Sequence, residues 1–281
     1  MIVEERDKPR RFSRVLPLRV LIPNAITALA LCFGLTGIRF AVSGEWEKAV
    51  TAIIIAGVLD GTDGRVARLL KGQSRFGAEL DSLSDVIAFG VSPAIIIYLW
   101  SLQHFERFGW LFALAHAVCC ALRLARFNAN LDVDNQPHKS AGFFTGIPSP
   151  ASAGVALAPM YLWLATGLDI FASPAVTAPI MAATAFLMIS NLPTYSWKSL
   201  RLPGGWRLAA LALIALFGGA LLVAPWITLS VVTGIYVLMI PLGYRSYRRI
   251  RRQREMPAGQ PLPASGVDAG QDEPARAGPA E

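Results

Sequence analysis

Charged residues are scarce in this chain. Asp, Glu, Lys and Arg together make up 16% of its 281 residues, whereas hydrophobic residues make up 54%. A soluble domain usually carries roughly 25% charged residues, so the composition argues against an ordinary soluble protein and against a disordered one. The formal net charge is +7, but a chain this apolar is not typical of nucleic-acid-binding proteins, and we expect no nucleic-acid partner.

Cysteine and histidine are also scarce, with three residues of each. Cys32, Cys119 and Cys120 all fall within apolar stretches, so we expect them to be small buried hydrophobic residues. Two adjacent cysteines do not have the spacing of a zinc site, and the histidines are scattered along the chain. The sequence therefore argues against a disulfide-stabilised protein and against a histidine-based metal site.

Long apolar stretches, by contrast, are abundant. About 20 apolar residues cross a bilayer as an α-helix, and several uncharged segments of this sequence approach or exceed that length. They predict an all-α polytopic membrane protein with about eight transmembrane helices. The predicted spans are residues 21–41, 49–69, 79–101, 108–127, 147–167, 174–192, 208–223 and 226–244.

The distribution of positive charge orients these spans. If the N-terminus is cytoplasmic, all but three of the 26 Lys and Arg residues fall on the cytoplasmic side, the exceptions being Arg39, Lys48 and Arg107. Such an asymmetry is what the positive-inside rule describes, so we expect both termini to be cytoplasmic. The predicted organisation is a basic leader (1–20), a six-span core (21–192), two additional spans (193–244) and an Arg-rich, then disordered, tail (245–281).

Four aspartates fall at the cytoplasmic ends of two consecutive spans. Asp60 and Asp63 are one helical turn apart near the end of the second span, and Asp81 and Asp85 are one turn apart near the start of the third. The short segment between them lets the chain turn at the membrane surface. We therefore expect the two pairs to face each other.

Ionised carboxylates at this depth need positive compensation, because each costs about 2.5 to 3.5 kcal/mol to insert. Ion pairs with Arg65, Arg68 and Arg75 are one explanation. Mg²⁺ or Mn²⁺ fits better, because both prefer carboxylate oxygens, and two such ions bridged by shared carboxylates commonly support displacement at phosphorus. The sequence predicts a site for two divalent ions formed by Asp60, Asp63, Asp81 and Asp85.

Small residues accompany the aspartates. Gly64, Ala67 and Gly77 would let a large group such as a nucleotide approach the backbone closely, and Arg68 could meet its pyrophosphate. The alternative is that these small residues only tighten the packing of helices.

From Asp60 to Asp85 the sequence reads D-x₂-D-G-x₂-A-R-x₈-G-x₃-D-x₃-D. This pattern resembles, at every fixed position, the signature of the CDP-alcohol phosphotransferase family. The resemblance implies a six-helix catalytic core, usually homodimeric, with two metal ions at the cytoplasmic side. It makes the first three aspartates metal ligands and Asp85 both a ligand and the general base. It also implies that the residues around the cytidine nucleotide are Gly64, Ala67, Arg68 and Gly77.

The first predicted span carries a second point of similarity. Pro23, Asn24 and Thr27 resemble a P-N-x-x-T pattern often seen in this family, which would add Asn24 and Thr27 to the nucleotide site. An equally good explanation is that Asn24 caps the N-terminus of the first helix.

Residues 75–94, 121–128 and 143–154 are similar to the bacterial phosphatidylserine synthase branch of the family. This branch implies CDP-diacylglycerol and L-serine as substrates, membrane lipids as surroundings, and phosphatidylserine and CMP as products at the inner membrane. Candidates for binding the acceptor are Arg123, Arg126, Asn128 and Lys139. Alternatively, these residues only follow the positive-inside rule or contact lipid headgroups.

Two other functions remain open from the sequence. The same chemistry could use another acceptor alcohol, such as glycerol 3-phosphate, inositol phosphate or choline. A cation-coupled transporter would also bind ions at membrane carboxylates, but it predicts carboxylates near the midplane of broken helices rather than at span ends.

The topology is testable at the C-terminus, because residues 208–244 must supply two crossings for the tail to return to the cytoplasm. We expect a reporter fused after Arg254 to be inaccessible to a membrane-impermeant label in intact cells, and to be labelled once the cells are permeabilised. Labelling in intact cells would contradict the predicted topology.

Overall fold

The computed structural model describes residues 18–129, 143–190, 193–195 and 207–255. The helices are α1 (Leu18–Val42), α2 (Trp46–Leu69), α3 (Arg75–Asp85), α4 (Ser92–Trp100), α5 (Gly109–Ala129), α6 (Ser149–Ala156), α7 (Ala158–Thr166), α8 (Pro174–Ile189), α9 (Arg207–Val223) and α10 (Pro225–Glu255). A π-helical segment (Val86–Val91) joins α3 to α4, and short 3₁₀ turns cover Leu102–His104 and Asp169–Ala172. Each predicted span coincides with a helix or with two consecutive helices.

The helical prediction is confirmed, with one small addition. Strand β1 (Phe143–Thr145) pairs antiparallel with strand β2 (Pro193–Tyr195) and so joins the segment before α6 to the segment after α8. This pair could not be predicted from the sequence, because three-residue strands carry too little alternation to be recognised.

Three helical segments of the described part are long and apolar enough to cross a membrane: Leu18–Val42, the continuous Arg75–Trp100, and Gly109–Ala129. Shorter apolar helices cover Pro174–Ile189, Leu208–Val223 and Pro225–Ile240. The protein is therefore a membrane protein with several apolar helices. The count of eight crossings and the orientation of the termini stay predictions.

The fifth predicted span is interrupted. Residues 147–167 form α6 and α7, which are separated at Leu157, and Pro159 occupies the second position of α7. Proline has no N–H to donate to the preceding turn, which explains why the helix breaks here. The sequence predicted one continuous helix here, whereas the structure has two short helices separated by a single residue.

The main apolar core lies at the end of the bundle opposite to the aspartates. It gathers the α1–α2 turn, the C-terminal end of α4, α7 and α8, and includes the fully buried Val50, Ile97, Leu157, Met160 and Met181. Packing at this end leaves the ends of α2 and α3 that carry the aspartates outside the main core.

Helix α1 packs along α2 and against α3 and α4. At Gly34 the backbone of α1 comes so close to the π-helical segment that an added Cβ would lie 2.8 Å from Ala88 Cα.

The predicted burial of cysteine is confirmed for Cys120, which is buried, but it is wrong for Cys32, which is exposed on α1. An exposed apolar side chain is compatible with a helix surrounded by lipid.

Buried side chains complete the hydrogen bonding of the π-helical segment. Pro93 has no N–H, so the carbonyl of Phe89, four residues earlier, lacks its regular α-helical donor. His116 Nε2 on α5 lies 3.3 Å from Phe89 O. Ser92 Oγ donates to Ile87 O at 2.9 Å. The segment that follows Asp85 is thus held by a neighbouring helix and by its own serine.

His116 is fully buried and also contacts α8. Its Nδ1 lies 3.1 Å from Thr184 Oγ1. A carbonyl can only accept a hydrogen bond, so an Nε2–H donates towards Phe89, while the Thr184 hydroxyl also lies 2.9 Å from Met181 O and has one proton for Nδ1 and that carbonyl. His116 therefore connects α5 to the π-helical segment and to α8.

We expect His116→Leu to destabilise the protein, because it leaves a buried carbonyl without this donor at a cost of about 1 to 3 kcal/mol. The measurement is the thermal unfolding midpoint of the purified protein in detergent. The matched control is His104→Leu, since His104 is exposed, and we expect its effect to be within about 0.5 kcal/mol. Equal midpoints for the two variants would refute the bridging role of His116.

Candidate active site

The sequence between α2 and α3 reverses the chain over a few residues. Lys71 adopts a left-handed conformation with φ 50° just after α2 ends. Ser74 then caps α3, because its Oγ accepts a hydrogen bond from the Gly77 N–H at 3.0 Å. Serine is a favoured capping residue, so the start of α3 is encoded locally. The resulting hairpin brings the two aspartate pairs together, as predicted.

The four carboxylates converge. One oxygen each from Asp60, Asp63 and Asp81 lies within 4.8 Å of the other two. Asp63 is buried, with 5% of its surface exposed, and the other two are half-buried. The Asp85 side chain contacts that of Asp60. The hairpin therefore concentrates four acidic groups in a small volume.

No Lys or Arg side chain in the described part of the chain forms a salt bridge with these carboxylates. The salt bridge found there joins Lys48 to Glu45, at the opposite end of α2. Arg65, Arg68 and Arg75 are exposed. The ion-pair explanation of the aspartates is thus not supported, whereas a set of clustered carboxylate oxygens suits a hard divalent cation. The cluster could bind Mg²⁺ or Mn²⁺.

Helix α1 supports both halves of the hairpin through Thr27. Its Oγ1 lies 2.6 Å from Asp63 Oδ2 on α2. Its backbone carbonyl accepts a hydrogen bond from Ser84 Oγ on α3 at 3.2 Å. The structure therefore places Thr27 directly at the carboxylate cluster.

Asn24 also belongs to this region. An added Cβ at Gly77 would lie 2.7 Å from Asn24 Oδ1, so glycine is needed there for the asparagine side chain to fit. The alternative that Asn24 caps α1 is wrong, because α1 begins at Leu18 and Asn24 lies inside the helix.

A cavity of about 280 Å³ opens beside Asp63 and Asp81. Pockets for small molecules start at roughly 300 Å³, so the cavity is close to the size of a ligand site. Its lining includes every residue predicted to surround the nucleotide: Asn24, Thr27, Gly64, Ala67, Arg68 and Gly77.

Further residues of the lining were not predicted from the sequence. Gln73 and Ser74, from the turn between α2 and α3, also face the cavity. Their position between the aspartate pairs was a signal, and a serine three residues before Gly77 is a typical start of a helix.

Gly64 and Gly77 serve different purposes in this lining. An added Cβ at Gly64 would meet no atom within 4 Å, whereas one at Gly77 would meet Asn24 and Ser74. Packing therefore explains glycine at position 77 but not at position 64, where a larger side chain would occupy cavity space.

The predicted acceptor residues lie in different surroundings. Arg123 is half-buried, donates from Nη1 to Ser149 Oγ at 2.6 Å, and interacts electrostatically with Asp85. Asn128 donates from Nδ2 to Ser82 Oγ at 3.0 Å, next to Asp81 in sequence. The structure brings both residues to α3.

Arg126 and Lys139 are placed differently. Arg126 donates from Nη1 to Ile189 O at 3.1 Å, at the C-terminal end of α8, and Lys139 lies outside the described residues. An acceptor role for any of the four residues stays a prediction.

Comparison with known families agrees with this geometry. A family model described as CDP-alcohol phosphatidyltransferase matches residues 20–197, which contain the hairpin and the cavity lining. The chain belongs to the CDP-alcohol phosphatidyltransferase family. A second model, CDP-alcohol phosphatidyltransferase 2, matches residues 205–241. The resemblance inferred from the aspartate pattern is confirmed.

Several curated proteins are similar in sequence to this member of the CDP-alcohol phosphatidyltransferase family. A CDP-diacylglycerol–serine O-phosphatidyltransferase of Mycobacterium tuberculosis is 37% identical over 236 residues, which cover 84% of this chain and 82% of the relative. One from Helicobacter pylori is 35% identical over 224 residues, covering 78% and 88%. An archaetidylserine synthase of Methanothermobacter thermautotrophicus is 34% identical over 178 residues, covering 62% and 69%.

The open space beside Gly64 allows a test of whether the cavity binds the nucleotide, with one variant inside the cavity and one outside it. We expect Gly64→Leu to weaken CMP binding by at least about tenfold, because the new side chain fills the cavity. Gly61→Leu is the matched control: it lies on the same helix, an added Cβ there also meets nothing within 4 Å, and it does not line the cavity. Binding is measured by calorimetry on the detergent-solubilised protein. Similar CMP affinities for the two variants would show that this cavity does not hold the nucleotide.

Proposed function

We propose that the protein transfers the phosphatidyl group of CDP-diacylglycerol to the hydroxyl of L-serine, giving phosphatidylserine and CMP. The observation that carries this proposal is the convergence of four aspartates beside a cavity lined by all six predicted nucleotide residues. Serine as the acceptor is supported by the names of relatives aligned over most of the chain.

Divalent metal is the proposed cofactor. Asp60, Asp63 and Asp81 would hold it, with Asp85 as a further ligand, and four carboxylates are enough to share two ions. Bound there, Mg²⁺ or Mn²⁺ would neutralise charge on the phosphoryl oxygens and on the departing CMP.

The cavity residues would position the nucleotide half of the lipid substrate. The absence of a side chain at Gly64 leaves room for a large group next to the α2 backbone. Arg68 is exposed and lines the cavity, so its guanidinium can reach a pyrophosphate oxygen. Holding the reacting groups in a fixed geometry supplies a large part of the rate acceleration in such reactions.

Asp85 is the proposed general base. Its carboxylate would accept the serine hydroxyl proton as the bond from serine Oγ to phosphorus forms and the bond from phosphorus to the CMP oxygen breaks. An alcohol is a weak acid, so the proton moves late in this step. The interaction of Asp85 with Arg123 places a positive charge on the side from which an amino acid could approach.

Arg123 and Asn128 are the best-placed residues for acceptor binding. A guanidinium can bind the carboxylate of serine through two parallel hydrogen bonds, and an asparagine side chain can bind an ammonium or hydroxyl group. Arg126 and Lys139 would add positive charge to the same cytoplasmic loop.

The proposed location is the inner (plasma) membrane, with eight spans, both termini in the cytoplasm and the active site facing the cytoplasm. Acyl chains of the substrate stay in lipid, whereas serine and CMP must exchange with water, and a site at the cytoplasmic ends of α2 and α3 satisfies both conditions. We also propose a homodimer.

The proposed domain organisation is a core at 21–192 followed by two additional helices in 193–244. The two family models support this division, because one matches residues 20–197 and the other matches residues 205–241.

The function is tested by following CMP release from CDP-diacylglycerol by the purified protein with Mg²⁺ or Mn²⁺ and labelled serine. We expect serine-dependent CMP release and a labelled lipid product, both abolished by a chelator. Asp85→Asn should lower kcat at least about 100-fold, since it removes the proton acceptor.

The control for this substitution is Asp169→Asn. Asp169 lies in the 3₁₀ turn before α8, where it accepts a hydrogen bond from Trp163 Nε1 at 3.2 Å, and it does not line the cavity. Replacing this carboxylate by an amide should therefore leave kcat unchanged. CMP release that does not depend on serine, or full activity of Asp85→Asn, would refute the proposed function.

A further inference from the structure

Two polar atoms, on α5 and α10, are buried without a hydrogen-bond partner in the described part of the structure. One is the hydroxyl oxygen of Tyr236 on α10, and the other is Nε of Arg123 on α5. Buried polar groups in folded proteins are nearly always hydrogen-bonded. Two such atoms close together are therefore a candidate place for a ligand to bind.

The two groups lie near each other without being paired. Tyr236 and Arg123 interact electrostatically, but no hydrogen bond joins them. A guanidinium can only donate hydrogen bonds, whereas a phenol hydroxyl can both donate and accept. Ser149 Oγ, at 2.6 Å from Nη1, fixes the guanidinium and leaves Nε available. A ligand with anionic oxygens, such as a carboxylate, can accept a hydrogen bond from both the Nε–H and the phenol O–H.

The position of this pair relative to the cavity indicates which substrate it contacts. The cavity is lined by α1, by the α2–α3 hairpin and by Asp63 and Asp81, but not by Asp85 or Arg123. Asp85 instead interacts with Arg123. In phosphoryl transfer the attacking and leaving oxygens lie roughly in line across the phosphorus. With the nucleotide in the cavity, the acceptor must enter from the side of Arg123.

We infer that Tyr236 and Arg123 form the subsite for the carboxylate of the amino-acid acceptor, which makes Tyr236 a specificity-determining residue. This inference rests on the proposed function. It gives α10 a role in the site, although this helix lies outside the predicted six-span core, and α10 packs against α6 and α7. The family model that matches residues 205–241 includes Tyr236.

The test is Tyr236→Phe in the full-length protein, which removes one oxygen atom and keeps the ring. We expect the KM for serine to rise about tenfold, the effect of losing one hydrogen bond to a charged group. The KM for CDP-diacylglycerol should stay within about twofold. The matched control is Tyr98→Phe, because Tyr98 on α4 packs against Trp110 with ring centroids 5.2 Å apart, away from the carboxylates.

Ethanolamine separates a carboxylate contact from a general disturbance, because it has the ammonium and hydroxyl groups of serine but no carboxylate. Measured as a competitor of serine, its inhibition constant should be unchanged in Tyr236→Phe. Arg123→Lys keeps the positive charge but loses the Nε donor, and it should show the same selective loss for serine. This second variant keeps the test decisive if Tyr236→Phe is unstable.

Each outcome has a distinct meaning. A wild-type serine KM in Tyr236→Phe, or equal weakening of serine and ethanolamine, overturns the carboxylate subsite and leaves the proposed function standing. If the wild-type protein shows no serine-dependent CMP release, the proposed function itself fails, and the subsite with it.

Discussion

The structure depends on holding four carboxylates together where a membrane protein would normally exclude them. Mutual repulsion and the cost of desolvation both oppose this arrangement. The hairpin of α2 and α3 imposes it through short-range structure: a tight turn at Lys71, a serine cap on α3, and pairs of aspartates one turn apart. Thr27 on α1 then contacts both halves. Contacts within the protein thus hold the carboxylates in place, and such preorganisation raises the affinity for a ligand.

The environment of the cluster is asymmetric, and this asymmetry organises the reaction. On one side lies a cavity lined by small residues and by Asn24. On the other side Asp85 faces Arg123, beside which the Tyr236 hydroxyl is buried. The proposed chemistry needs a donor lipid nucleotide and an acceptor alcohol to approach the same phosphorus from opposite directions. The three helices around the cavity and the two helices that carry Arg123 and Tyr236 supply those directions separately.

Much of this site could be predicted from the sequence, because its key features are local. The spacing of Asp60, Asp63, Asp81 and Asp85 sets their helix faces, and the apolar stretches set the helix positions. The proximity of Arg123 and Tyr236 could not be predicted, since more than 100 residues separate them and no short-range pattern joins them. Asn24 was ambiguous for a different reason. A proline followed by asparagine suggests a helix start, yet α1 extends to Leu18 and keeps Pro23 within its first turns.

The π-helical segment between α3 and α4 has a consequence for insertions and deletions. Each residue of an α-helix turns the chain by about 100°, and a π-helical segment contains an extra residue relative to regular helix. Deleting one residue from Val86–Val91 would leave a continuous apolar helix. Because the wider turn of this segment already accommodates the extra residue, the shortened helix would keep Asp81 and Asp85 close to their present orientation relative to α4. Deleting a residue from the regular turns of α4 would instead rotate the aspartates by about 100° relative to the rest of that helix, so the π-helical segment is where this helix tolerates the loss of a residue best.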